Sequence, residues 1–332
     1  MSKRFVYITF PLILLLGVYF LGPEPEKPKF ESAMPVVPSN PDQLEDYIRQ
    51  QEAKHNVKPD NEARIIWLDS NRQKTEYSVV YLHGFSASQE EGDPVHSDFA
   101  KKFGCNLYLP RLADHGIDTT EQLLYFTPDR LWESSKEALA IGKAIGNRVI
   151  LMSTSTGGTM ALMLAAEYPE DVYALINMSP NIEINDPNAF LLNDPWGLQI
   201  ARRVIGSDYQ VINYNPDRQQ YWNGQYRLEA LTQLQELIED KMNTTTFNKV
   251  NQPCLTLYYY KDEENQDPTV KVSAMLKMHE ALGTGPALKE AIAIPNAGAH
   301  VMGSHLVSKD LESVQKAIND FAEQKLGLKP IN

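Results

Sequence analysis

RVILMSTSTGG (148–158) is the stretch on which the fold turns. Its first six residues form an apolar run of the kind buried on both faces of a parallel sheet. Ser153-Thr154-Ser155-Thr156-Gly157-Gly158 then lead into a helical stretch at 156–168. A side chain presented on a tight strand-to-helix turn needs small neighbours two positions to either side. The bend presses the strand and helix backbones together there. Gly157 meets that need, and Ser153 stands where a first glycine is usual. Ser155 is therefore the candidate nucleophile, in a variant of G-x-S-x-G. The helix N-terminus supplies backbone N–H groups and partial positive charge where an oxyanion would form. Alone, a Ser/Thr/Gly turn before a helix is more often a simple cap, so the weight lies in what surrounds it.

Outward from this turn, strands and helices alternate. ARIIWL (63–68), EYSVVYL (76–82), GCNLYLP (104–110), VYALINM (172–178), PCLTLYYY (253–260) and KEAIAIP (289–295) read as further strands. Helical stretches fall at 94–103, 128–146 and 306–326. Such alternation predicts an α/β fold: a mostly parallel sheet flanked by helices on both faces. Residues 181–250 break the rhythm, with helical runs near 196–205 and 227–242 and an aromatic set that includes Trp196, Tyr214, Trp222 and Tyr226. A helical insertion of this length between core strands predicts a cap over a site.

Two further loops complete a chemical set. The strand at 76–82 ends in His83-Gly84-Phe85, where glycine permits close approach and the Phe85 N–H can join that of Thr156 at the same oxyanion. His83 reads as structural, holding this loop. The base is expected late in the chain, and His300 in Asn296-Ala297-Gly298-Ala299-His300 follows the last apolar strand. His305 is the second choice, while His55, His96 and His279 read as solvent-facing. An acid must orient the imidazole. Asp267, in Asp267-Pro268-Thr269-Val270, has the best setting, with Asp262 as runner-up.

In this order the pieces LHGF (82–85), PRLADHG (110–116), STSTGG (153–158), QDPTV (266–270) and AGAH (297–300) resemble the α/β-hydrolase superfamily. The likeness is to its capped carboxylesterase and monoacylglycerol-lipase-like members and spans about residues 60–326. It implies a serine hydrolase with the triad Ser155, Asp267 and His300, an oxyanion hole from the Phe85 and Thr156 N–H groups, and no metal or organic cofactor. The implied substrate is a small-molecule or lipid-like carboxylic ester. A thioesterase or acyltransferase would use the same triad, and a catalytically silent binding protein would keep only the fold. Relatives commonly read Gly-His-Gly where this chain has Asp114-His115-Gly116, a departure in a structural loop.

Composition narrows the rest. The 332 residues carry a net charge of −12, which argues against sequence-independent nucleic-acid binding. Two cysteines, Cys105 and Cys254, exclude a disulfide-stapled scaffold and read as buried thiols. Residues 5–21, FVYITFPLILLLGVYFL, carry no charge and follow Lys3 and Arg4. This predicts a signal-anchor over residues 1–22, or a signal peptide if cleaved, with the remainder exported to the periplasmic or extracellular side. Bulky residues ahead of Gly22-Pro23 make a poor cleavage site. Taking Lys3 and Arg4 from a net charge of −12 leaves −14 on the exported part. Residues 23–41 are proline-rich and read as an extended, semi-rigid linker to a domain at 42–330.

Overall fold

The computed structural model describes residues 17–331. The first sixteen residues, which hold most of the expected anchor, lie outside that range. Among the described residues no helix is long and apolar enough to cross a membrane.

Among the described residues nine strands are formed: β1 (Arg64–Ile66), β2 (Thr75–Leu82), β3 (Asn106–Leu109), β4 (Gly146–Thr154), β5 (Val172–Met178), β6 (Tyr209–Val211), β7 (Gln225–Arg227), β8 (Cys254–Tyr258) and β9 (Lys289–Ala293). Seven make one sheet in the order β1-β3-β2-β4-β5-β8-β9. Only β1 runs antiparallel to its neighbour; the other pairings are parallel. The sheet divides two apolar layers, and the period of two along each strand decides which residue enters which layer. Val80 and Leu82 of β2, with Val149 and Leu151 of β4, face the helices Pro128–Ile145 and Thr156–Glu167. Val79 and Tyr81, with Ile150 and Met152, face the helices Val95–Phe103 and Leu311–Gln324. Both faces being covered is why these strands read as unbroken apolar runs.

The two-stranded sheet β6–β7 and the helices Gly197–Ile205, Pro216–Tyr221 and Leu228–Lys241 occupy the long connection from β5 to β8. This connection rests on the carboxyl ends of the core strands. Asn223 N–H donates to Ser86 O (2.7 Å), and Asn185 N–H donates to Thr269 O (2.9 Å). The helix Val272–Ala281 follows β8 and the turn at Asp267-Pro268, where the sequence predicts an apolar residue entering a helix. The last helix starts at Leu311, later than expected, where the Asp310 carboxylate caps Ser313 N–H.

The proline-rich stretch is extended, but it lies along the domain rather than standing away from it. Phe30 N–H donates to Asp129 Oδ1 (2.7 Å), and the buried Lys136 ammonium donates to the carbonyls of Glu31 and Ala33 (both 2.7 Å). Lys27 pairs with Glu236 on the inserted segment. The helix Pro41–Glu52 follows, with Asn40 as its N-cap and Leu44 and Ile48 buried against the core.

Candidate active site

Ser155 sits between β4 and the helix Thr156–Glu167 with φ 54° and ψ −121°. A serine costs about 1–3 kcal/mol in such a sparsely populated region, so the surroundings must impose it. They do so through close backbone packing. A Cβ at Gly157 would lie 1.9 Å from Leu82 O and 2.8 Å from His83 O. Ser155 O accepts from Asn181 N–H (2.9 Å), and Ser155 N–H donates to Met178 O (3.1 Å). Ser153, in the place of the usual glycine, is fully buried and donates its hydroxyl to Asn177 Oδ1 (2.8 Å). The hydroxyl is thus satisfied on the neighbouring strand.

Asp267 and His300 meet although 33 residues separate them. His300 Nδ1 donates to Asp267 Oδ2 at 2.7 Å. The other carboxylate oxygen accepts from Thr269 N–H (2.8 Å) and Val270 N–H (3.1 Å), so the turn after Pro268 clamps the acid. Burial pushes the Asp267 carboxyl up. The facing imidazole and these hydrogen bonds outweigh it and hold the acid below its ordinary range. Burial likewise pulls the His300 ring down, but the Asp267 charge and hydrogen bond prevail and leave it above its ordinary value. His300 Nε2 is buried and has no hydrogen-bond partner among the described residues. No hydrogen bond joins it to Ser155.

Ser155, Thr156, Phe85 and His300 line one cavity of about 470 Å³. The N–H groups of Phe85 and Thr156 donate to no acceptor among the described residues. The Phe85 ring is fixed edge-on against Phe126 and Tyr226, each at 5.2 Å between centroids. His83 is buried behind this loop; its Nε2 accepts from Leu112 N–H (3.1 Å).

The second-choice residues lie elsewhere. Asp262 is solvent-facing and bonds to Asn265 and Glu264. His305 is half exposed beside Glu90 and Asp93 and does not line the cavity. Two histidines expected at the surface are in fact buried. His96 packs on Tyr81 with centroids 4.7 Å apart and donates to Gln89 O; burial lowers it to about 4. His279 meets the Thr256 hydroxyl (3.0 Å), and burial lowers it to about 4 as well. Both sit on helix faces turned to the sheet. Cys105 and Cys254 are buried, free thiols pushed up to about 12 by burial.

Sequence reasoning missed Glu91, Arg218 and Asn181, which also line the cavity. Glu91 is buried and accepts the Gly84 N–H; burial raises it to about 7. Nothing in Gln89-Glu90-Glu91 distinguishes it from a solvated acidic turn. Arg218 had a legible signal. Tyr214 and Trp222 stand four residues to either side of it, flanking the short helix Pro216–Tyr221 that Asn215-Pro216 opens.

Comparison with protein-family models and with curated proteins matches nothing. Solved structures do match. A metagenome-derived lipolytic enzyme of the LipS/LipT study has a TM-score of 0.62 at 17% identity, covering 80% of this chain and 98% of its own. The Paleococcus ferrophilus monoacylglycerol lipase has a TM-score of 0.56 at 13% identity, covering 78% and 96%. Est1E from Butyrivibrio proteoclasticus, with ferulic acid bound, has a TM-score of 0.52 at 16% identity, covering 80% and 95%. With its mixed seven-stranded sheet and flanking helices, this chain has the α/β-hydrolase fold.

Proposed function

We propose that the chain is a serine hydrolase that cleaves carboxylic esters through an acyl-enzyme. The observation that carries this reading is the Asp267–His300 hydrogen bond of 2.7 Å, with Nε2 left unpartnered and His300 lining the cavity that holds Ser155. Ser155 Oγ attacks the ester carbonyl, and its proton passes to His300 Nε2. The Phe85 and Thr156 N–H groups hold the resulting oxyanion. Collapse expels the alcohol, which takes the proton from His300. Water then adds to the acyl-enzyme with His300 again as base, releasing the acid and restoring Ser155. Apolar side chains at Ile184, Ile212, Leu231 and Leu234 line the same cavity and favour an apolar substrate portion. Residues 181–250 act in this reading as a cap above the triad.

A panel of p-nitrophenyl esters from acetate to decanoate tests the activity. Enzyme-dependent turnover is expected, with the highest kcat/KM at a chain length the cavity can hold. No turnover of any member above the buffer rate overturns the reading.

We also propose that residues 1–22 tether the domain to a membrane on its exported side. Support comes from the uncharged run at 5–21 and from the surface that follows it. Trp196 donates its indole N–H to Val18 O (3.0 Å) and its backbone N–H to Pro23 O (2.9 Å). Phe20 and Leu21 are exposed, as are Ile200 and Val204 on the helix just after Trp196. The full chain is expected to stay with membranes in alkaline carbonate, and a chain lacking residues 1–22 to be released. Release of both contradicts the tether.

A further inference from the structure

Arg218 is placed unlike the chain's other buried or half-buried arginines. Arg111 pairs with Glu52, Arg130 with Asp114, Arg202 with Asp208 and Glu229, and Arg227 with Glu121 and Glu229. The Arg218 guanidinium forms no ion pair and no side-chain hydrogen bond among the described residues, and its Nε is buried without a partner. In a chain of net charge −12, acidic partners are not scarce. The group is nevertheless held firmly. Its Cζ lies 4.2 Å from the Tyr214 ring centroid and 5.0 Å from that of Trp222, itself 2% exposed. Stacking on two aromatic faces fixes the guanidinium plane while leaving its N–H fork unused.

Arg218 lines the cavity that contains Ser155 and His300, and among the described residues it is the only Arg or Lys that does so. A buried donor without an acceptor is costly, and such groups in native proteins call for an explanation by ligand or function. The planar fork matches a carboxylate, which it can hold through two parallel hydrogen bonds. The cavity's one carboxylate, Glu91, accepts the Gly84 N–H beneath the oxyanion loop; the Arg218 charge reaches it, but the two form no salt bridge.

We propose that Arg218 binds a carboxylate carried by the ester substrate, so that the preferred substrates are monoanionic esters rather than neutral ones. This rests on the ester-hydrolase reading and adds the substrate's charge to it. The carboxylate can lie on the acyl side, as in a dicarboxylic half-ester, or on the alcohol side, as in an ester of a hydroxy acid.

Two matched pairs separate these sources: p-nitrophenyl hydrogen adipate against p-nitrophenyl hexanoate, and p-carboxyphenyl acetate against phenyl acetate. In one pair the anionic member is expected to have a kcat/KM about tenfold higher or more, on the scale of a satisfied bidentate contact. In Arg218→Gln that ratio should fall by about tenfold or more, and Arg218→Lys should recover only part of it. A second measurement needs no variant: free adipate or benzoate should slow labelling of Ser155 by a fluorophosphonate in the unaltered chain. Neutral esters preferred in both pairs, or an unchanged ratio in folded Arg218→Gln, overturns the inference. If Ser155 is labelled but neither pair favours the anion, the substrate charge is wrong and the hydrolase reading stands. If Ser155 is not labelled at all, both fall together.

Discussion

Asp267→Asn is expected to lower kcat by about a thousandfold or more, on the scale seen when the orienting acid of such a triad is neutralised. The asparagine offers His300 Nδ1 an amide in place of a carboxylate. It removes the charge and hydrogen bond that hold the ring in the productive tautomer and stabilise it when protonated. The same substitution should move the pH profile. His300 must be neutral to act as base, so kcat/KM falls as pH drops through the ring's pKa. In the unaltered chain that pKa lies above the ordinary 6.5, because the Asp267 contribution outweighs burial. Without the carboxylate, burial remains and pulls the ring down, so the acid limb shifts to lower pH. Asp262→Asn should change neither rate nor profile, since its carboxylate serves only Asn265 and Glu264. A large loss confined to Asp262→Asn would reassign the acid.

Gly157→Ala should destabilise the fold severely, by about 3 kcal/mol or more in denaturant unfolding, or yield no soluble protein. Two effects oppose each other here. Helix propensity favours alanine over glycine by about 1 kcal/mol. Against it, the new Cβ would lie 1.9 Å from Leu82 O and 2.5 Å from Leu82 C. Those atoms end β2, which is locked in register with β4 through pairs from Thr75–Gly146 to Leu82–Ser153. Nothing there is a flexible side-chain end that could swing aside. The clash therefore outweighs propensity, and any shift that relieves it also moves the Phe85 and Thr156 N–H groups. Stability within about 0.5 kcal/mol of the unaltered chain would contradict this packing account, since that is the size of an ordinary surface change.

How much of this was legible follows from the range of the interactions involved. The core strands showed themselves because burial on both faces makes each one a short unbroken apolar run. The turn at Ser155 was readable because the close approach of β2 leaves room only for glycine at position 157. Asp267 and His300 could be chosen because each lies in a short loop just after a core strand, where the fold gathers its chemistry. Features set by distant partners left less trace. His96 and His279 sit on helices whose charged neighbours suggest an outer face, yet Tyr81 and Thr256 of the sheet bury them. Glu91 became an interior carboxylate because Gly84, seven residues earlier, turns its N–H toward it. The proline-rich stretch read as a spacer because its polypeptide has no apolar period. Its attachment depends on Asp129, Lys136 and Glu236, about a hundred or more residues away.

Ser155 is proposed as an activated nucleophile, and one measurement addresses that directly. The full chain is treated with a fluorophosphonate probe, digested and analysed by mass spectrometry, with Ser155→Ala treated alongside. The expected result is one phosphonylated peptide modified at Ser155, formed faster as pH rises through the His300 pKa and absent from the alanine variant. No adduct on Ser155, or equal labelling of the alanine variant, would contradict the account.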